Sequence, residues 1–87
     1  MYRATFHEDW LENFKKLDRP VSERVAKKIE KVLENPKKRH LGGPAKYFVD
    51  EVGQYRLVYR VFDDTSSVRF YFIGTHKEYE KWFKQFF

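Results

Sequence analysis

Residues 53–82 read GQYRLVYRVFDDTSSVRFYFIGTHKEYEKW. Within this stretch, Tyr55–Phe62 and Val68–Ile73 are rich in β-branched and aromatic residues, a composition that favours β-strands. Residues 63–67 between them are turn formers and have the length of a hairpin loop. The stretch therefore predicts two antiparallel strands, followed by a helix that begins near Lys77.

The register of this predicted hairpin decides which side chains share a face of the sheet. We expect Phe62 to pair with Val68. Alternation along the strands then places Arg56 opposite Gly74, with His76 one step away on the same face. A shift by one residue would send Arg56 and His76 to opposite faces. The predicted face carries Arg56, Val58, Arg60, Phe62, Val68, Phe70, Phe72, Gly74 and His76.

An arginine beside a histidine at the strand ends is suited to chemistry on a phosphate. The guanidinium of Arg56 is always charged, and the imidazole of His76 can exchange a proton near neutral pH. The alternative is that Arg56 is a solvated strand residue and that His76 caps the following helix, since both residue types are common on protein surfaces.

The composition is that of a small basic protein. The chain has 87 residues, a net charge of +5, 20% aromatic residues and no cysteine. This length allows one hydrophobic core, so we expect a single domain over residues 1–87. The excess of cations favours a polyanion or an acidic protein as partner. Without cysteine, an apolar membrane-spanning run or a signal-peptide core, the chain is expected to be cytoplasmic and free of membranes.

The rest of the chain supplies two strands and three helices. Tyr2–Phe6 and Ala45–Val52 predict strands, while helical spacing predicts helices that end near Asp18 and Asn35 and a last helix over Lys77–Phe87. The order β-α-α-β-β-β-α indicates an α+β fold, with a helical hairpin packed on one face of an antiparallel sheet and the other face free. The apolar stripes of the helices are Trp10, Leu11, Phe14 and Leu17, then Val21, Val25, Ile29, Val32 and Leu33, then Tyr79, Trp82, Phe83, Phe86 and Phe87.

A basic loop lies between the second helix and the second strand. It reads PKKRHLGGP over residues 36–44, and Lys46 follows at the edge of the next strand. One interpretation is a solvated linker. The other is a rim that binds a phosphate backbone, because the loop adjoins the strands that carry Arg56.

Two motifs resemble a known protein family. GQYRLVYRV at residues 53–61 resembles the RelE/ParE superfamily of toxins from type II toxin–antitoxin systems, and GTHKEY at 74–79 resembles the C-terminal motif of its HigB-like branch. The element order and chain length agree too, so the resemblance implies a RelE-like fold over nearly the whole chain. Ribonuclease members of this superfamily bind the ribosomal A site and cut messenger RNA there without a metal ion. The resemblance implies an endoribonuclease toxin, an mRNA interferase that inhibits translation, with a cognate antitoxin as partner and no cofactor.

The resemblance also assigns roles to residues. The 2′-hydroxyl attacks the adjacent phosphate and leaves a 2′,3′-cyclic phosphate. Arg56 matches the strand arginine that contacts the scissile phosphate, and His76 matches the position of a basic or acid–base residue. Lys46 is then the candidate base or electrostatic helper, and Tyr79 either assists catalysis or is simply packed. The candidate RNA-binding residues are Lys37, Lys38, Arg39, His40 and Arg60.

Departures from the family pattern keep two alternatives open. RelE carries lysines on the strand before the arginine, whereas this chain has Phe48, Asp50 and Glu51 there. The YoeB branch uses a glutamate in the preceding loop, which this loop lacks. A catalytically inactive RNA-binding or ribosome-binding module is therefore one alternative. A ParE-like inhibitor of DNA gyrase is the other, although His76 and Tyr79 argue against it.

Overall fold

The structure is a computed structural model that describes residues 1–36 and 47–86. Its elements follow the predicted order β-α-α-β-β-β-α and confirm the α+β fold. The strands are Arg3–Phe6 (β1), Phe48–Val52 (β2), Tyr55–Phe62 (β3) and Ser67–Thr75 (β4), and the helices are Trp10–Lys15 (α1), Arg19–Glu34 (α2) and His76–Phe86 (α3).

The described strands form one sheet in the order β1-β4-β3-β2. The pairs β2–β3 and β3–β4 are antiparallel, but β1 runs parallel to β4. The prediction of an antiparallel sheet is therefore wrong for one edge. The reason is the long connection between β1 and β4, because a long connection lets two neighbouring strands run in the same direction.

Local signals explain where the helices begin and end. The side chain of Asp18 caps α2 by accepting a hydrogen bond from the backbone N–H of Val21 at 3.1 Å. α1 ends earlier than predicted. The backbone N–H groups of Lys16 and Leu17 bond to the carbonyls three residues before them, and this tighter turn closes the helix.

The main core lies between the sheet and the first two helices. Trp10 of α1 and three valines of α2 are buried in this core. Leu11 is 56% exposed, so the prediction that it belongs to the apolar stripe of α1 is wrong. Burial of such side chains is the main stabilising contribution in a chain of this size. The buried residues of this core are Trp10, Val21, Val25, Val32, Val52, Leu57, Tyr59, Val68, Phe70 and Ile73.

The β3–β4 register agrees with the prediction at one end and differs at the other. Arg56 pairs with Gly74, as predicted, but Phe62 pairs with Ser67 and not with Val68. The pairing is irregular at Val58 and Tyr59 of β3. These two residues pair with Phe72 and Phe70 of β4, so Tyr71 has no paired residue on β3. This β-bulge moves Val68 and Phe70 to the face covered by α1 and α2, away from Arg56.

The second face of the sheet is not free, contrary to the prediction. Val58 is fully buried and Phe72 is 5% exposed, although both lie on this face. The ring of Trp82 in α3 stacks on Phe72 with centroids 5.4 Å apart. The apolar stripe of α3 needs cover, and α3 starts at the end of β4, so it folds back over the adjacent sheet. Within the described ranges, none of the helices has the length and apolar character needed to cross a membrane.

Candidate functional site

An open cavity lies where the β2–β3 turn meets the start of α3. Its volume is about 560 Å³. The cavity lies between the turn of the β2–β3 hairpin and the junction of β4 with α3. Because β3 is paired with β2 on one side and with β4 on the other, the strands beside the cavity have a fixed backbone. The lining residues are Glu51, Gly53, Gln54, Arg56, Thr75, His76 and Lys77.

Arg56 supplies a fixed positive charge to this cavity. It lies on β3 opposite Gly74 of β4, so the residue directly across from it carries no side chain. Its side chain is 23% exposed, and Nη2 lies 3.6 Å from Oε2 of Glu51 on β2. Glu51 is 67% exposed, so this ion pair is weak and an anion can displace the carboxylate.

His76 is the first residue of α3 and is exposed to solvent. It does not cap the helix, because Thr75 and Glu78 form the cap. The Thr75 N–H donates to Glu78 Oε1 at 2.8 Å, and the Glu78 N–H donates to Thr75 Oγ1 at 3.3 Å. The imidazole of His76 instead contacts Glu80, with Nε2 and Oε1 2.8 Å apart.

Tyr79 lies one helical turn after His76 and is half-buried. Its ring stacks on Trp82 with centroids 6.4 Å apart and also contacts Phe83. Burial raises the pKa of the Tyr79 hydroxyl, while the nearby charge of Arg56 partly opposes the rise. The hydroxyl therefore stays protonated at neutral pH, where it can donate a proton or a hydrogen bond but cannot act as a base.

The other predicted site residues are placed elsewhere or not described. Arg60 does not line the cavity. Its guanidinium lies over the rings of Tyr47 and Phe62, at 5.3 and 5.1 Å from their centroids. Five predicted residues lie outside the described part of the chain, namely Lys37, Lys38, Arg39, His40 and Lys46.

The structure adds residues to the site that the sequence did not single out. Glu51 faces Arg56 because the tight turn at Gly53, with φ at +60°, pairs the two positions directly. Arg24 of α2 reaches the rim, since a Cβ on Gly53 would lie 3.4 Å from its Nη2 atom. Glu80 follows the histidine by four residues, a helical spacing that could have revealed the pair. Across the described ranges, no three His, Cys, Asp or Glu side chains are grouped so that they could hold a metal ion.

Comparisons with known proteins find similarity in both sequence and structure. Residues 4–79 match the family described as ParE toxin of type II toxin-antitoxin system, parDE. No curated protein sequence matches the chain significantly.

The solved structures that resemble this one include RelE toxins. The crystal structure of the intact RelBE toxin–antitoxin complex of E. coli contains a chain that is 32% identical, with a TM-score of 0.79, and the alignment covers 86% of this chain and 96% of that one. The isolated E. coli RelE toxin is 29% identical, with a TM-score of 0.79 and full coverage of both chains. The RelB–RelE complex of Methanococcus jannaschii, at 19% identity, a TM-score of 0.73 and coverage of 91% and 98%, shows a shared fold alone.

Proposed function

Because this chain belongs to the RelE/ParE superfamily of type II toxins, we propose that it inhibits translation by cutting messenger RNA on the ribosome. The observation that supports this proposal is the cavity that Arg56 and His76 line together. Arg56 is a permanent cation and His76 is a proton-exchanging group, and a phosphate bound in the cavity that both line could contact them together.

Cleavage of RNA without a metal ion needs three contributions. A base must take the proton of the 2′-hydroxyl, an acid must protonate the leaving 5′-oxygen, and a cation must stabilise the charge that develops on the phosphoryl group. As the bond between the 2′-oxygen and phosphorus forms, the bond from phosphorus to the 5′-oxygen breaks. The products are a 2′,3′-cyclic phosphate and a 5′-hydroxyl end.

Arg56 is our candidate for the charge-stabilising group. Its planar guanidinium can donate two parallel hydrogen bonds to phosphate oxygens. In the free protein, the carboxylate of Glu51 lies beside the guanidinium as an ion pair at 3.6 Å. The phosphate would displace the exposed carboxylate of Glu51 on binding, because a bidentate phosphate contact is the stronger of the two.

His76 is our candidate for the general acid. The Nε2–Glu80 contact leaves Nδ1 as the ring nitrogen that can face the RNA. A proton on Nδ1 would pass to the 5′-oxygen while Nε2 keeps its hydrogen bond. Tyr79 would assist as a hydrogen-bond donor, given its raised pKa. Lys46 remains the predicted base or electrostatic helper, and Lys37–His40, together with Arg60, remain predicted RNA contacts.

The test is cleavage of messenger RNA on programmed ribosomes, with the 5′-ends of the products mapped. We expect Arg56→Ala to slow cleavage by about 10²–10³-fold, as loss of a transition-state donor does. His76→Ala should slow it by about 10²–10⁴-fold, as loss of a general acid does. Arg19→Ala is the matched control, because Arg19 is 90% exposed at the start of α2 and its carboxylate partner is the neighbouring Glu23. Equal cleavage by Arg56→Ala and Arg19→Ala would overturn the site assignment.

A second candidate function is the inhibition of DNA gyrase that a resemblance to the ParE branch implies, since residues 4–79 match the family described as ParE toxin. A supercoiling assay with purified gyrase separates the two candidates. Loss of supercoiling activity without any cut messenger RNA would support the gyrase function. If the wild-type chain binds ribosomes but neither cuts RNA nor affects gyrase, the inactive binding module is the better description.

We further propose that the chain has a cognate antitoxin. The similar E. coli toxin chain was crystallised in a toxin–antitoxin complex. A net charge of +5 favours an acidic partner. The prediction is that expression of the chain alone stops growth, and that co-expression with an acidic protein encoded beside it restores growth. Arg56→Ala should relieve the arrest without the antitoxin.

A further inference from the structure

Arg60 of β3 and Arg69 of β4 lie directly opposite each other in the sheet. Both side chains are partly exposed. No carboxylate in residues 1–36 or 47–86 forms an ion pair with either of them. Two like charges in opposed positions repel and destabilise a sheet. The arrangement is therefore one that an anionic ligand between the two guanidinium groups would stabilise.

Aromatic rings hold both arginines in place. The guanidinium of Arg60 lies 5.3 Å from the ring centroid of Tyr47 and 5.1 Å from that of Phe62. The guanidinium of Arg69 lies 5.8 Å from the centroid of Tyr71. The rings of Tyr47 and Tyr71 meet edge to face with centroids 5.1 Å apart. The two cations and the three rings thus form one continuous patch, here called the arginine–aromatic patch.

The β-bulge places this patch on the same face as Arg56. Upstream of the bulge, Arg69 pairs with Arg60, and downstream of it Gly74 pairs with Arg56. With regular alternation along β4, Arg69 and Gly74 would lie on opposite faces. Arg60 lies four residues from Arg56 along β3, which is about 13 Å at ~3.3 Å per residue. The patch is therefore within reach of a nucleotide neighbouring the one whose phosphate would bind Arg56.

We propose that the arginine–aromatic patch is a nucleotide-binding subsite for single-stranded RNA. The guanidinium groups of Arg60 and Arg69 would hold a backbone phosphate, and the rings of Tyr47 and Tyr71 would offer a surface for a base. Cations alternating with aromatic rings are the pattern by which proteins bind single strands. A nucleotide carries a phosphate beside a planar base, which matches cations beside aromatic rings, so we take RNA as the ligand and an acidic peptide as the alternative that the experiment tests. The inference rests on the proposed function for its ligand, and it adds Arg69, Tyr47 and Tyr71 to the predicted RNA contacts.

The experiment measures binding of a short 2′-O-methylated single-stranded RNA, which cannot undergo 2′-hydroxyl attack. Affinity is determined over a range of salt concentrations for the wild type, Arg69→Gln, Tyr71→Leu and the control Arg19→Gln, which removes the same charge from an exposed helix position. We expect Arg69→Gln to reduce the slope of log K against log salt by about 0.7, the value for one lost phosphate contact. Tyr71→Leu should weaken binding about fivefold or more with the slope unchanged, as loss of one stacked base does.

Two outcomes overturn the proposal. The first is an equal change of RNA affinity and salt slope in Arg69→Gln and Arg19→Gln, which would mean that the patch contributes only to the net charge of the protein. The second is wild-type RNA affinity in both Arg69→Gln and Tyr71→Leu together with weakened binding of an acidic antitoxin, which would assign the patch to a protein. Thermal unfolding serves as a folding control, and Arg69→Gln should not lower the unfolding temperature because it removes a repulsion.

The binding assay and the cleavage assay test the subsite and the nuclease proposal independently. If messenger RNA is not cut on ribosomes but Arg69→Gln changes the salt slope, the subsite stands and the nuclease proposal falls. If messenger RNA is cut but Arg69→Gln matches Arg19→Gln in binding, the nuclease proposal stands and the subsite falls.

Discussion

Arg56 and His76 each contact a carboxylate, but the two contacts have different consequences. The contact between Glu51 and Arg56 is long, at 3.6 Å, and under the proposed function it would compete with a phosphate for the guanidinium. The contact between Glu80 and His76 is short, at 2.8 Å, and leaves one ring nitrogen available. Under the proposed function, Glu51 would be displaced by the substrate, whereas Glu80 would be a positioning residue for the imidazole.

The Glu80 contact predicts the tautomer of His76. A carboxylate only accepts hydrogen bonds, so the neutral imidazole must carry its proton on Nε2. We expect two-bond ¹H–¹⁵N NMR spectra, recorded at a pH high enough to leave imidazoles neutral, to show the Nε2–H form in the wild type. Glu80→Ala should give a mixture of both tautomers and slower RNA cleavage. The pair is exposed, so the same change should lower stability by no more than about 0.5 kcal/mol.

Glu80→Gln is the matched variant for this prediction. Its amide oxygen can still accept from Nε2, so the wild-type tautomer should be retained. Glu23→Ala, at an exposed position of α2, controls for the loss of a helix carboxylate. An Nε2–H signal that is unchanged in Glu80→Ala would remove Glu80 from the site.

At the level of elements, the direct connection of β4 to α3 fixes the position of the candidate site, because no loop separates the strand from the helix. β4 ends at Thr75 and α3 begins at His76. The helix folds back over the second face of the sheet, where Trp82 stacks on Phe72. Gly74 makes this return path possible. A Cβ on Gly74 would lie 2.6 Å from Cζ of Phe72 and 2.9 Å from Oε1 of Glu78.

Gly74→Ala should therefore loosen α3 from the sheet. Both contacts are closer than side chains allow, so the Phe72 ring or the Glu78 cap must move, at a cost of about 1–3 kcal/mol. Urea unfolding measures the loss of stability, and hydrogen exchange locates it. We expect faster exchange in α3, with the β2–β3 turn unaffected.

Gly53→Ala is the comparison variant, because its strain arises from a φ of +60° in that turn and not from α3. It should speed exchange in the turn and leave α3 protected. Combining Gly74→Ala with Phe72→Leu should cost less stability than the sum of the two single changes, since the smaller side chain clears the nearer contact. Equal protection of α3 in Gly74→Ala and the wild type would contradict this account.

For the whole molecule, local sequence signals predicted the strands and helices, whereas tertiary packing determined the β-bulge and the faces that are covered. The β-branched and aromatic run of β3 gave its bounds, Tyr55–Phe62, because strand propensity and turn residues agree there. The pairing of Arg56 with Gly74 was predicted as well. The bulge beside Tyr71 was not, because it satisfies the burial of Phe70 on one face and of Phe72 on the other, and burial is not a local property.

The candidate site shows the same division. The sequence singled out Arg56 and His76, and the structure brings them to one cavity. It did not indicate that Glu51 lies beside Arg56, since that contact depends on the pairing across the β2–β3 turn. It also left the second sheet face free, because an apolar stripe such as that of α3 does not reveal which surface it covers.

The last prediction concerns stability at alkaline pH and centres on Tyr59. Burial, reinforced by the nearby charge of Asp50, raises the pKa of the Tyr59 hydroxyl above the ordinary value of 10.0. Its oxygen and Oδ2 of Asp50 are buried without a hydrogen-bond partner among the described residues. The folded state thus keeps a proton that the unfolded state loses above about pH 10, so the free energy of unfolding should fall as pH rises through that range.

Tyr59→Phe should make this fall less steep and leave the stability at neutral pH unchanged or higher, since it removes a buried hydroxyl that has no partner. Urea unfolding between neutral pH and about pH 11 measures both effects. Tyr55→Phe, at a partly exposed position of the same strand, is the control and should follow the wild-type pH dependence more closely. If Tyr59→Phe loses stability with pH as steeply as the wild type does, the alkaline sensitivity arises elsewhere. The remaining candidates would then be Tyr2, whose pKa is raised by its hydrogen bond to Asp63, and Tyr79, whose pKa is raised by burial.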